Sequence, residues 1–316
     1  MSSRIAEEIE TPGPRSTHAR PGVWLADVAL VLMSVIWGVN YSVVKYGTSV
    51  LSPLAYNDVR ITLATIALLV VAWIWGGTPP SRRDVFALLA LGALGNGVYQ
   101  IFFVEGVAHT RAGEAALVVG ASPALMALFG RMLGVEQISR RGIVGVALSM
   151  FGVALIVLGR AASADPLHGG SLKGDLLVLV GAVCWAIYTV ILTPFTRRIN
   201  GWWLSAITIL GGCLVLTVAG FGDVLAMQWA SVPRAAWAAI LYSGLGALVI
   251  AYMFWYYGVR VMGATRTAMY GNLQPLIALL VAWLTLGEVP SLSQWVGATT
   301  IVSGVLLTRS TAVEGS

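Results

Sequence analysis

The length of its apolar runs limits this chain more than any other feature. Stretches of about 20 apolar residues recur, separated by short polar connections. A helix rises 1.5 Å per residue, so about 20 residues cross the hydrocarbon core of a bilayer. Ten such stretches can be drawn, at 24–44, 54–75, 84–107, 113–133, 141–159, 174–193, 203–221, 235–257, 265–286 and 292–308. They use most of the 316 residues. Only 10% of residues are charged, against about 25% in a soluble domain. Such a chain cannot cover itself with polar surface, which excludes a soluble globular fold. The same composition excludes disorder, and the unbroken runs argue against a β-barrel. The expected fold is all-α integral membrane, with ten transmembrane helices.

The net charge of +5 would suggest nucleic acid in a soluble protein. In a membrane chain it reports orientation, because Lys and Arg collect in cytoplasmic loops. Nucleic acid is therefore not an expected partner; lipid and a small-molecule substrate are. Arg60 lies within a span. Of the other Lys and Arg residues, thirteen share a side with the two termini and five lie opposite. Both termini are expected inside. Residues 1–22 mix Pro12, Pro14 and Pro21 with charges and lack the apolar core of a signal peptide. They are expected to form a disordered cytoplasmic tail, and 310–316 a second one. Cys184 and Cys213 fall in spans as packing residues, while His18, His109 and His168 fall outside them. No metal or other cofactor is expected. With no His in a span and no GxSxG elbow, neither is an intramembrane enzyme.

The chain also repeats itself. Asp27 and Trp37 recur as Asp175 and Trp185, 148 residues on. From the third span the offset is 152: Gly92 matches Gly244, Phe102 Phe254, Gly106 Gly258, Ala112 Ala264 and Pro123 Pro275. Glu136 matches Glu288, Gly145 Gly297 and Gly152 Gly304. Pro, Trp and Glu are too scarce for composition to produce this register. Two five-span copies follow, over 23–160 and 174–309. An odd span number makes the second copy enter the membrane from the other face. Inverted repeats of this kind recur in transporters, with the substrate site near the midplane between copies and access alternating between the two sides.

These residues carry a family resemblance. The first copy shows Trp37-Gly38-Val39-Asn40 with Lys45, Pro53 and Arg60. Ala112-Gly113-Glu114-Ala115-Ala116, Pro123, Gly134-Val135-Glu136, Gly145 and Gly152 follow. The second shows Trp185-Ala186, Ala264, Pro275, Leu286-Gly287-Glu288, Gln294, Gly297 and Gly304. The chain resembles a bacterial member of the drug/metabolite transporter superfamily, of the EamA type, over about 24–308. It departs at Gly134-Val135-Glu136, where Leu-Gly-Glu is usual. The resemblance implies export of metabolites, amino acids among them, across the bacterial inner membrane. A multidrug, nucleoside or other metabolite exporter of the same fold is the alternative. Whether the chain works as a monomer or a homodimer is left open.

Polar side chains in hydrocarbon are costly and usually face a bundle interior or a water-filled cavity. Stripes of them therefore map a cavity. Trp37, Asn40 and Tyr41 share one face at i, i+3 and i+4; Trp185, Tyr188 and Thr189 repeat the pattern. Asn96, Tyr99, Gln100 and Phe103 form a third stripe, and Tyr252, Trp255 and Tyr256 a fourth. Asn272 and Gln274 precede Pro275. Aromatic walls with a few amides and hydroxyls suit an amphipathic or zwitterionic solute. Interhelical packing is the competing reading. No carboxylate lies on these stripes, which ranks an organic cation behind a neutral or zwitterionic solute. Pro123 and Pro275 are expected to break their helices and to act in gating; for Arg60 the carbonyl end of a neighbouring helix is the preferred reading, with gating the alternative. Glu105 and Glu114, at the loop holding Arg111, are candidates for proton coupling, since desolvation favours a protonated carboxyl. A solvated loop-end charge is the alternative for both. Glu136 and Glu288 are expected to serve the entries of the fifth and tenth spans.

Overall fold

The computed structural model describes residues 23–134, 140–161, 171–262, 267 and 270–309. Both tails, Glu136 and Ala264 lie outside them. Among the described residues the chain is helical, without strands. Its helices are α1 (Val23–Val50), α2 (Pro53–Trp75), α3 (Arg82–His109), α4 (Ala112–Met132), α5 (Arg140–Ala161), α6 (Leu172–Thr196) and α7 (Gly201–Ala226). Next comes α8, three joined pieces at Arg234–Leu241, Tyr242–Ile250 and Ala251–Met262, then α9 (Leu273–Leu286) and α10 (Leu292–Arg309). The first eight are long and apolar enough to cross a membrane; α9 and α10 are shorter apolar helices.

Capping chemistry sets the boundaries. Ser52, Ser81, Ser171 and Asn200 accept a backbone N–H of the helix each precedes. Ser291 and Gln294 satisfy each other's backbone N–H in a reciprocal box that opens α10. Gly134 and Gly287, both at φ 69°, follow α4 and α9 in the left-handed region that favours glycine. The repeat register pairs Gly287 with Val135, so the left-handed glycine sits one residue earlier in the first copy. That shift is the physical content of the Gly134-Val135-Glu136 departure.

The helices are irregular at matching places. A π segment occupies Ala93–Val98 in α3 and another Tyr242–Ile250 in α8; the offset of 152 carries the first into the second. α4 is broken at Ala121 into Ala112–Gly120 and Ser122–Met132. Pro123 sits in the first turn of the second piece, and Pro275 in the first turn of α9. Both prolines thus begin helices, where a missing N–H has no intrahelical partner to lose.

Lipid supplies no hydrophobic force between helices, so close approach at small residues matters. Here those contacts come in exchanged pairs. Gly92 lies on the backbone of Thr208, and Gly244 on the backbone of Arg60; Arg60 and Thr208 are 148 apart. Gly106 packs on Val178 and Gly258 on Leu30, again 148 apart. Gly152 meets Gly297 and Ile301, while Gly304 meets Gly145 and Ser149. The main helix pairings follow suit: α5 with α10, α2 with α7, α3 with α6 as α8 with α1, and α4 with α6 as α9 with α1. Outward faces are apolar and exposed, as at Ile66, Val70, Phe151 and Val218.

A side chain at Gly152 or Gly297 has to displace the α5–α10 contact. We expect Gly297→Leu to lower stability by roughly 1–3 kcal/mol through overpacking, read as the thermal midpoint in detergent. Gly222→Ala, whose new Cβ meets nothing within 4 Å, should be neutral or mildly stabilising. Equal midpoints for the two variants would contradict the packing at this seam.

Candidate functional site

A cavity of about 110 Å³ lies where α1, α2, α3, α4, α6, α8 and α9 converge. Of the residues expected from the sequence, Trp37, Asn40, Tyr41, Arg60, Tyr99, Gln100, Phe103, Pro123, Trp185, Tyr252, Trp255, Gln274 and Pro275 line it. Asn96, Tyr188, Thr189, Tyr256 and Asn272 do not. Asn96 stands behind the wall, its Oδ1 accepting the Tyr252 hydroxyl at 3.0 Å. Tyr188 is buried with Leu88 and Leu204. The Thr189 hydroxyl donates to the Trp185 carbonyl at 2.8 Å, and Asn272 sits at the cap of α9. Sequence reasoning missed Val119, Ser122 and Met126, which share the face that the break before Pro123 presents. Pro123 was itself the signal.

The aromatic wall is continuous. Ring centroids are 5.6 Å apart for Tyr41–Phe103, 5.3 Å for Tyr99–Trp185, 6.1 Å for Trp185–Tyr252 and 5.7 Å for Trp37–Tyr252. Trp37 Nε1 donates to the Ala247 carbonyl at 2.9 Å, inside the π segment of α8. Tyr256 leads outward. Its ring lies 6.2 Å from that of Tyr252 and lines a second cavity of about 1050 Å³. This vestibule is bounded by the start of α1, the end of α6, the start of α7 and the end of α8, with Arg197, Arg198 and Arg260 on its walls.

Arg60 is 1% exposed. Its Nε donates to Asn57 Oδ1 at 2.8 Å, Nη1 to Ser243 Oγ at 2.5 Å and Nη2 to Gln100 Oε1 at 2.5 Å. Among the described residues its hydrogen-bond partners are therefore side chains, not the carbonyl end of a neighbouring helix. Asn57 is fixed in turn by donating Nδ2 to the Gln100 carbonyl at 3.0 Å. Asn40 Oδ1 and Ser122 Oγ, both buried, have no hydrogen-bond partner among the described residues.

A second polar cluster closes the junction between the end of α3 and the start of α4. Lys45 Nζ donates to the carbonyls of Val107, Ala108 and Thr110 at 3.1, 3.0 and 2.6 Å, where the helix dipole favours a cation. The Thr110 hydroxyl bridges Glu114 and Asp175. Glu114 is 3% exposed and accepts from Gln294 Nε2 at 3.1 Å, so it is no solvated loop-end charge. Glu105 is partly exposed beside His109. Neither glutamate lines the central cavity. Glu288 departs from its expected place: its carboxylate accepts the Ala112 and Gly113 N–H groups at 3.1 and 3.2 Å. It caps α4, where an anion meets the positive helix end, while Ser291 and Gln294 cap α10.

The profile of the EamA-like transporter family matches residues 24–158 and again 172–310. An uncharacterized transporter of Bacillus subtilis, YyaM, is 24% identical over 282 residues, covering 88% of this chain and 92% of that one. A probable terminal-alkyne amino-acid exporter of Streptantibioticus cattleyicolor is 27% identical over 279 residues, covering 88% and 91%. The uncharacterized inner membrane transporter YedA of Escherichia coli K12 is 27% identical over 284 residues, covering 88% and 89%. A protein crystal structure superposes with a TM-score of 0.62 at 20% identity, over 92% of this chain and 98% of the other; that likeness concerns the fold.

Lys45→Met removes a cation from three carbonyls. Charge-assisted hydrogen bonds contribute about 1.5–3 kcal/mol, so we expect a loss of roughly 2 kcal/mol in detergent unfolding. Lys45→Arg should recover part of it. A midpoint unchanged in Lys45→Met would deny the Lys45 cap a role in stability.

Proposed function

The chain belongs to the EamA-like transporter family, and we propose that it exports small amphipathic metabolites, amino acids first among them, across the bacterial inner membrane by alternating access. The observation that carries this reading is the central cavity. It is walled by aromatic rings, carries a few amides and hydroxyls, and lies where helices of both halves meet. Such a lining binds apolar surface while satisfying a small number of polar groups. About 110 Å³ is less than the roughly 300 Å³ of a small ligand pocket, which suits a contracted state that widens on loading.

Two further features support the reading. The exchanged contacts, Gly92–Thr208 against Gly244–Arg60 and Gly106–Val178 against Gly258–Leu30, are those expected of two five-helix copies related by a two-fold axis. We take the ten helices as two inverted repeats with both termini inside. The vestibule opens on the side of the α1 start and carries three arginines, which under the positive-inside bias is the cytoplasmic side, where an exporter loads. Pro123 and Pro275 lie on the cavity wall at helix starts and are assigned as the breaks about which that wall moves. The name of the Streptantibioticus relative puts amino acids at the head of the substrate panel, and the amphipathic lining is compatible with that class.

Purified protein in vesicles preloaded with amino acids should accelerate entry of labelled amino acid. Trp185→Ala and Asn40→Ala should lower that counterflow about 10-fold, a loss near 1.4 kcal/mol, with folding intact. Folded protein showing no counterflow of any amino acid would remove this substrate class and turn the search to nucleosides, sugars and organic cations. Orientation has its own test, in a Cys184→Ala, Cys213→Ala background. An impermeant maleimide should label Ser231→Cys on intact spheroplasts, and Thr78→Cys only after permeabilisation. The reverse pattern would invert the topology.

A further inference from the structure

We infer that Arg60 is the anion receptor of the central cavity: it takes the carboxylate of the transported solute, so the cavity selects carboxylate-bearing molecules over their amide or amine counterparts. The inference deepens the transport reading and rests on it.

Three features of Arg60 lead there. First, its charge is oriented without being neutralised. A guanidinium has five N–H donors and no acceptor. Three go to Asn57, Ser243 and Gln100, all neutral. Asp58 accepts from Thr217 on α7 at 2.9 Å. Among the described residues, no carboxylate lines the cavity with Arg60. An Arg within a span is costly, up to about 3 kcal/mol at the span's centre even on insertion scales that allow relaxation. A chain that keeps one there without an acid beside it leaves the charge for something that arrives. Second, the fork is pre-set. Asn57 is anchored on the Gln100 carbonyl and holds Nε, which leaves the guanidinium plane defined before any ligand binds. A planar fork suits a carboxylate, and pre-organisation lowers the ordering cost of binding.

Third, the same cavity holds complementary acceptors. Asn40 and Ser122 are lining residues, and their side-chain oxygens Oδ1 and Oγ are buried and have no partner among the described residues. Buried polar groups are ordinarily hydrogen-bonded, so these two are matched to a solute. A solute with a carboxylate at Arg60 and an ammonium or hydroxyl facing these oxygens satisfies both ends. The vestibule is consistent with the sign. Of its three arginines one, Arg198, pairs with Asp84 at 2.7 Å, and clustered positive charge at an entrance concentrates anionic groups there.

The test compares matched solutes in proteoliposome counterflow: L-amino acids, their α-amides and the corresponding decarboxylated amines. Wild type should respond to the acids at concentrations about 100-fold below the amides and amines. Arg60→Gln should raise the half-maximal concentration for acids on the order of 100-fold, as loss of a buried charge partner does, and so abolish the preference for acids over amides. Arg60→Lys should fall between, since a point charge lacks the fork. Quenching of the cavity tryptophans Trp37 and Trp185 by acid against amide, in detergent, reads binding without transport. Amides and amines as effective as acids in wild type, or a preference that survives Arg60→Gln, overturns the inference while transport itself stands. Should Arg60→Gln fail to fold, the wild-type acid-against-amide comparison still decides. Folded protein that moves none of the three series overturns the amino-acid reading and this inference together.

Discussion

Inside hydrocarbon the backbone has no water to turn to, and two apolar helices have no hydrophobic reason to touch. Cohesion has to come from backbones that approach closely, and this protein places glycine where they do. Gly92 on Thr208, Gly244 on Arg60 and Gly106 on Val178 join one half to the other. So do the principal helix pairings, which link 23–161 to 171–309. The halves are therefore interlocked rather than apposed: α1 leans on α8 and α9, and α6 on α3 and α4. At each of these points one partner is a glycine, so a backbone or an apolar side chain of the other half seats directly on the helix.

The cavity follows from the places where this close packing stops. The π segments in α3 and α8 disturb the regular ladder, as such segments often do at functional sites. One consequence is visible: the Ala247 carbonyl, within the α8 segment, receives the Trp37 indole N–H. A regular helix would have committed that carbonyl more fully to its own ladder. The break before Pro123 and the turn at Gly271–Asn272 that precedes α9 withdraw a second wall. Irregular backbone at membrane depth is tolerated where protein or a water-filled cavity surrounds it, and here it does both jobs: it opens space and orients the rings around it.

Helical spacing was enough to find the wall but not its depth. Trp37, Asn40 and Tyr41 share a face because i, i+3 and i+4 always do, and all three line the cavity. The matching triplet on α6 holds only at Trp185. Tyr188 continues along the same stripe into the packing beside Leu88, since a face runs the length of a helix and a cavity does not. Tyr256 fails for a related reason, standing one turn beyond Tyr252 in the vestibule. Asn96 lies in the π segment, where an extra residue per turn rotates the face away from a 3.6-residue reading. Glu288 was assigned to the helix that follows it in sequence, yet it caps α4 across the seam; periodicity carries no information about tertiary partners. The ring of partners around Arg60 was half legible. Asn57 stands at i−3 on the same helix, but Ser243 is 183 residues away.

The repeat makes Arg60 more telling than a buried arginine alone would be. The register takes Arg60 to Thr208, Asn57 to Ser205 and Gln100 to Tyr252. At the corresponding place the second half thus offers neutral groups, with the Thr208 hydroxyl turned back to the Leu204 carbonyl of its own helix. A cavity made from two equivalent halves would offer a dipolar solute two equivalent poses. One cation on one side removes that equivalence. A charge-assisted hydrogen bond contributes about 1.5–3 kcal/mol, enough to favour one pose by roughly ten-fold or more. The same residue is tied to both halves: Asn57 and Gln100 belong to the first, Ser243 to the second, and Gly244 rests on the Arg60 backbone. Movement of α8 against α2 has to change that set of hydrogen bonds. On the proposed reading, the group that takes the solute is in this way coupled to the seam between the halves.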